Sequence, residues 1–156
     1  MRSAGEWRTL VLLFSCYAVW MVLTVMAESI GFWIALPLLI VTITLHSSLT
    51  HELIHGHPFK SDLLNAVVGF PTLGLYVPYL RFRKLHTEHH RDELLTHPRN
   101  DSESFYVFEA DWRRMGGLRR AVLNANNTLL GRMTIGSVMA LCRFWIAEAR
   151  AILGAD

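Results

Sequence analysis

Residues 9–27 hold no charged side chain, and neither do residues 30–49; Glu28 is the one Asp, Glu, Lys or Arg between positions 9 and 50. At about 1.5 Å per residue, a helix over the first run is roughly 28 Å long, close to the hydrocarbon thickness of a bilayer. The second run is of equal reach. Only Glu28 and Ser29 part the two, with Gly31 just after, which suits a tight helical hairpin. Trp7 and Trp33 stand near the run ends, where interfacial aromatics are common. A cleaved signal peptide has an apolar core of about 7–15 residues. The run here is longer, and a second follows at once. A soluble chain with two buried helices is the plain alternative; two transmembrane helices are the expectation.

A third uncharged run, residues 63–80, contains Gly69, Pro71, Gly74 and Pro78. Those residues break a straight helix, so a broken or re-entrant segment at the interface is expected. Residues 128–153 read as a helix. Arg132, Arg143 and Arg150 are eleven and seven residues apart. At about 100° per residue, these steps leave offsets of only about 20°, one stripe on a helix otherwise rich in apolar side chains. An interfacial helix with its arginines toward headgroups is expected, with a soluble amphipathic helix as the alternative. The fold class is therefore all-α: a polytopic membrane protein with a transmembrane hairpin, a broken segment and interfacial helices.

Charge sharpens this division. Residues 81–120 carry sixteen of the chain's twenty-eight charged side chains, nine basic and seven acidic. The hairpin tip has Glu28 and no cation, whereas the outer sides carry Arg2, Arg8, Lys60, Arg81, Arg83, Lys84 and Arg91. Cations mark the cytoplasmic side, so both ends of the hairpin are expected there. The net charge of +2 names no partner, and nothing resembles the basic face of a nucleic-acid module. Cys16 and Cys142 lie far apart in apolar stretches, which indicates neither a disulfide framework nor a thiolate zinc site.

All eight histidines fall between positions 46 and 97. His51 and His55 are four apart and share a helix face; His86, three from His89 and four from His90, can converge with both. Neutral imidazoles at such spacing make a metal-ligand arrangement suited to iron, zinc or copper. The candidate metal ligands are thus His51, His55, His86, His89 and His90, with no catalytic residue singled out beyond them. His46, five residues before His51, points about 140° away on a continuous helix; ligand, supporting group and interface residue all stay open for it. His57 sits between Gly56 and Pro58 and reads as a loop residue, and His97 stands alone. His51-Glu52-Leu53-Ile54-His55 also matches the H-E-x-x-H zinc-protease pattern. A catalytic zinc takes three protein ligands and an open position, which leaves the second histidine group unexplained. Five histidines suit half of a two-metal site.

With those two groups beside apolar spans, the chain resembles the membrane fatty acid desaturase family. His51 and His55, within residues 51–57, match the first histidine box, with His46 to His51 as another frame; His86, His89 and His90, at 86–90, match the second, HxxHH. The stretch Leu94-Leu95-Thr96-His97-Pro98, then Asn100-Asp101-Ser102-Glu103-Ser104, is similar to bacterial members, with His97 and Ser102 departing from their pattern. A third box is not found after His97, and family members run longer. The resemblance therefore implies that residues 1–156 are the N-terminal portion of a desaturase-like protein, without a complete site of its own.

The resemblance implies two irons, O₂ activation and removal of a hydrogen pair from a lipid acyl chain. It also implies an external ferredoxin- or cytochrome-type electron donor, and the multi-pass bacterial inner membrane, with the boxes on the cytoplasmic side. Ligating imidazoles need acceptors for their other nitrogen; Glu52, Glu88, Asp92 and Glu93 are close in sequence. A carotenoid ketolase or hydroxylase with similar boxes and an intramembrane zinc metalloprotease are the alternative functions.

Overall fold

The computed structural model describes residues 6–91, 95–101 and 104–154. Among them every regular element is helical. The chain divides into two compact units, Met1–Leu95 with Asp101–Glu103, and Thr96–Asn100 with Ser104–Asp156.

The first unit is built on α1 (Glu6–Val25), one short turn α2 (Ala27–Ile30) and α3 (Phe32–Ile54). The chain reverses at Gly31, whose φ of +90° is open to glycine and strained for other residues. The apolar runs mark the hairpin, but α3 extends five residues beyond 49, through the first histidine group. Nothing between Leu49 and Ile54 breaks a helix. It ends where Gly56 takes φ +85° and Pro58 follows. Both long helices are long and apolar enough to cross a membrane. Val11, Phe14, Val22, Trp33, Ile40 and Val41 stay exposed on their outer faces, as lipid contact requires. The hydroxyls of Thr42 and Thr44 donate to the carbonyls of Leu38 and Ile40, so α3 satisfies these polar groups on its own backbone.

Two shorter helices close the unit. Helix α4 (Asp62–Gly69) starts at Ser61, whose side chain accepts from the Leu64 amide at 3.4 Å. Buried Asn65 clasps Phe59, accepting from its amide at 3.2 Å and donating to its carbonyl at 2.7 Å. Turns over residues 70–78 then interrupt the third apolar run, as its prolines and glycines require, before α5 (Tyr79–Arg91). The core comprises Leu13 and Cys16 from α1, Leu49 and Leu53 from α3, Leu73, and Tyr79. Gly69 lets α4 sit directly against Leu53 and Tyr79: a Cβ there would lie 2.8 Å from a carbon of each.

The second unit contains α6 (Glu109–Arg114), α7 (Gly117–Asn126) and α8 (Leu129–Leu153). Helix α8 is also long and apolar enough to cross a membrane. It includes a π-helical turn over Arg132–Gly136. Such a turn inserts one residue, about 100° of phase, so Arg132 leaves the stripe that Arg143 and Arg150 share. Its start is capped by Thr128, which accepts from the Gly131 amide at 3.1 Å.

Candidate metal centre

The last turns of α3 and α5 present histidines to one another. The i, i+4 spacing stacks His51, on α3, over His55, the residue that caps its end, and His86 over His90 on α5. The shared Leu53–Gly69–Tyr79 core sets the approach of the two helices. Leu53 lies between the two α3 histidines in sequence, and Tyr79 opens α5. Burial pushes the Tyr79 phenol above its ordinary range. Phe82 packs on His86, ring centroids 5.7 Å apart. At the surface Arg83 pairs with Asp62 at 2.5 Å, tying α5 to α4.

Four imidazoles converge. His51, His55, His86 and His90 each offer a ring nitrogen, and these atoms all lie within 4.8 Å of one another. His55 Nε2 stands 3.3 Å from His51 Nε2 and 3.2 Å from His86 Nε2, and His90 Nε2 stands 3.0 Å from His86 Nε2. His86 is buried, His51 half-buried, and His55 and His90 are exposed.

The three shortest separations fit a shared cation better than hydrogen bonds. A ring nitrogen carries either one hydrogen or one lone pair. His55 Nε2 and His86 Nε2 each face two other Nε2 atoms, so neither serves both neighbours by hydrogen bonding alone. Nitrogens bound to one ion at about 2.0–2.1 Å stand roughly 2.9–3.4 Å from their nearest neighbours. The three observed distances fall within that interval.

His89 is placed differently. Its ring lies beside His86, centroids 6.1 Å apart, but its nitrogens do not join the four. Its Nδ1 stands 2.8 Å from Oδ1 of Asp101, a carboxylate that is 4% exposed. Sequence proximity does not single out Asp101, twelve residues on and within a polar run. Of the acceptors expected from proximity, Glu52 is exposed and Glu88 faces Lys84 at 3.8 Å, while Asp92 and Glu93 lie outside the described residues.

The remaining histidines have other tasks. His46 is buried away from the four; its Nε2–H donates to the Tyr17 hydroxyl at 3.1 Å, and that hydroxyl donates to the Val68 carbonyl at 2.8 Å. The pair therefore links α1, α3 and α4. His57 lies exposed in the turn after α3. In the second unit, His97 Nδ1 accepts from the amides of Arg99 and Asn100 at 3.3 and 3.1 Å, so it organises its own loop.

The family model described as Fatty acid desaturase matches residues 28–153, a span that includes both histidine groups. No curated protein and no solved structure matches the chain.

Proposed function

Because the chain belongs to the fatty acid desaturase family, we propose that it serves the O₂-dependent desaturation of a lipid acyl chain at a histidine-held diiron site. In this reading His51, His55, His86 and His90 hold one iron, and His89 faces the second. The observation that carries the reading is the convergence of four imidazole nitrogens from two helices within 4.8 Å. Neutral imidazole is a ligand that suits iron. Iron bound there would supply the O₂ chemistry that removes a hydrogen pair from an unactivated chain.

The protein's own contribution is placement. Helices α1 and α3 carry the first histidine pair at the end of a membrane-length hairpin, where an acyl tail within the bilayer is at hand. A cavity of about 140 Å³ beside the site is lined by Ile43, Tyr76, Val77 and Phe82, with His46 and Thr50 on its wall. Phe82, which lines it, also packs on His86. The cavity's apolar wall is suited to hydrocarbon rather than to a polar substrate. Electrons come from an external ferredoxin- or cytochrome-type donor, and the cation-bearing ends of the hairpin face the cytoplasm of a bacterial inner membrane. The residues that complete the second iron's ligands lie outside the two histidine groups of this chain.

The test is metal content. The detergent-purified chain, loaded anaerobically with Fe²⁺ and desalted, is expected to retain iron, and His86→Ala and His51→Ala are expected to lose it. Retention by both variants equal to the parent chain would refute the assignment. Preference for Zn²⁺ with peptide cleavage lost in Glu52→Gln would favour the protease instead.

A further inference from the structure

The carboxylate of Asp101 is nearly shut off from water, and desolvating a carboxylate costs free energy unless donors meet it. The ring nitrogen of His89 meets it at 2.8 Å. An Nδ1 within that distance of a carboxylate oxygen is a donor. A neutral ring that donates through Nδ1 carries its lone pair on Nε2. The contact also fixes the ring plane, which otherwise turns about the terminal side-chain bond.

We propose that Asp101 is the positioning residue of His89: it holds the ring as the Nδ1–H tautomer, which leaves the lone pair on Nε2 as the metal donor. The inference rests on the reading of His89 as an iron ligand. It accounts for His89 not joining the four-nitrogen group although its ring lies beside those of His86 and His90. His86 and His90 turn their Nε2 atoms to the four-histidine group, while Asp101 commits His89 to a different direction. A carboxylate behind a ligating imidazole raises its basicity and selects the nitrogen that binds. The near carboxylates of α5 do not take this part where they are described: Glu88 lies at the surface facing Lys84.

The tautomer is read directly by ¹⁵N NMR of the histidine-labelled chain in micelles, without metal and at mildly alkaline pH. The His89 signals are identified by their loss in His89→Gln. The expected result is a neutral Nδ1–H ring in the parent chain and in Asp101→Asn, whose side-chain carbonyl still accepts. Asp101→Leu should shift His89 toward the Nε2–H form. A parent His89 bearing Nε2–H, or protons on both nitrogens, overturns the proposal, as does an Asp101→Leu spectrum identical to the parent's. If the leucine variant does not fold, the parent tautomer and a weakened Nδ1 hydrogen bond in Asp101→Asn decide the matter. Co²⁺ added to the same parent sample judges the metal reading separately. Absence of any effect on the His86, His89 and His90 signals would end that reading and with it the metal-donor role, while the Nδ1–H tautomer set by Asp101 would still stand.

Discussion

Gly69→Ala puts a methyl group into the contact that brings α3 and α5 together. The new Cβ would lie 2.8 Å from Leu53 Cδ1, 2.8 Å from Tyr79 Cε2 and 3.0 Å from Tyr79 Cδ2. Both neighbours are almost wholly buried, Leu53 at 2% and Tyr79 at 1% exposure, so neither has free volume to enter. Overpacking of this kind costs about 1–3 kcal/mol. In a chain of this size each kcal/mol moves the midpoint by about 2–4 °C, so a drop of roughly 2–12 °C is expected. Leu53 lies between His51 and His55 on α3, and Tyr79 opens the helix that carries His86 and His90. Relief of the clash therefore separates the two histidine pairs, and Co²⁺ affinity should fall along with stability. The assay is thermal unfolding in one detergent, followed by circular dichroism, with a Co²⁺ titration of each protein. Gly116→Ala is the control, because a Cβ there meets nothing within 4 Å. A Gly69→Ala chain as stable as the Gly116→Ala chain, with unchanged Co²⁺ affinity, would refute the packing argument.

Tyr17→Phe removes the hydroxyl that joins His46 to the Val68 carbonyl. Leaving such groups unpaired costs about 1–3 kcal/mol, read as a lower unfolding midpoint with no change in Co²⁺ stoichiometry. His97→Ala removes the acceptor of two loop amides and should raise amide exchange at Arg99 and Asn100 while metal retention stays at the parent level. Gly131→Ala sets a Cβ 1.8 Å from the Ala125 carbonyl oxygen. Backbone cannot yield as a side chain can, so its destabilisation should exceed that of Gly69→Ala in the same melting assay.

Much of this arrangement can be read from local spacing. The two uncharged runs mark the hairpin because burying charge in lipid is so costly. The i, i+4 pairs at His51 and His55, and at His86 and His90, state which rings share a helix face. What local spacing does not carry is the meeting of the two faces. That depends on Gly69 admitting Tyr79 and Leu53, a contact among three residues far apart in the chain. Asp101 escapes sequence reading for the same reason: its partner is set by a loop path, not by helix periodicity. HxxHH suggests one convergent trio, yet His89 turns to Asp101 while its neighbours turn to α3. The fate of His46 needs Tyr17 from another helix. The arginine stripe fails at Arg132 because a π-turn changes the phase assumed for a regular helix.

X-ray absorption on the iron-loaded chain tests the central claim most directly, because it reports the atoms around the ion. A site formed by His51, His55, His86 and His90 predicts a nitrogen-dominated shell with the outer-shell scattering of several imidazoles, and loss of that scattering in His86→Ala. A shell without imidazole scattering, or one that His86→Ala leaves unchanged, would contradict the assignment of these four histidines as one metal centre.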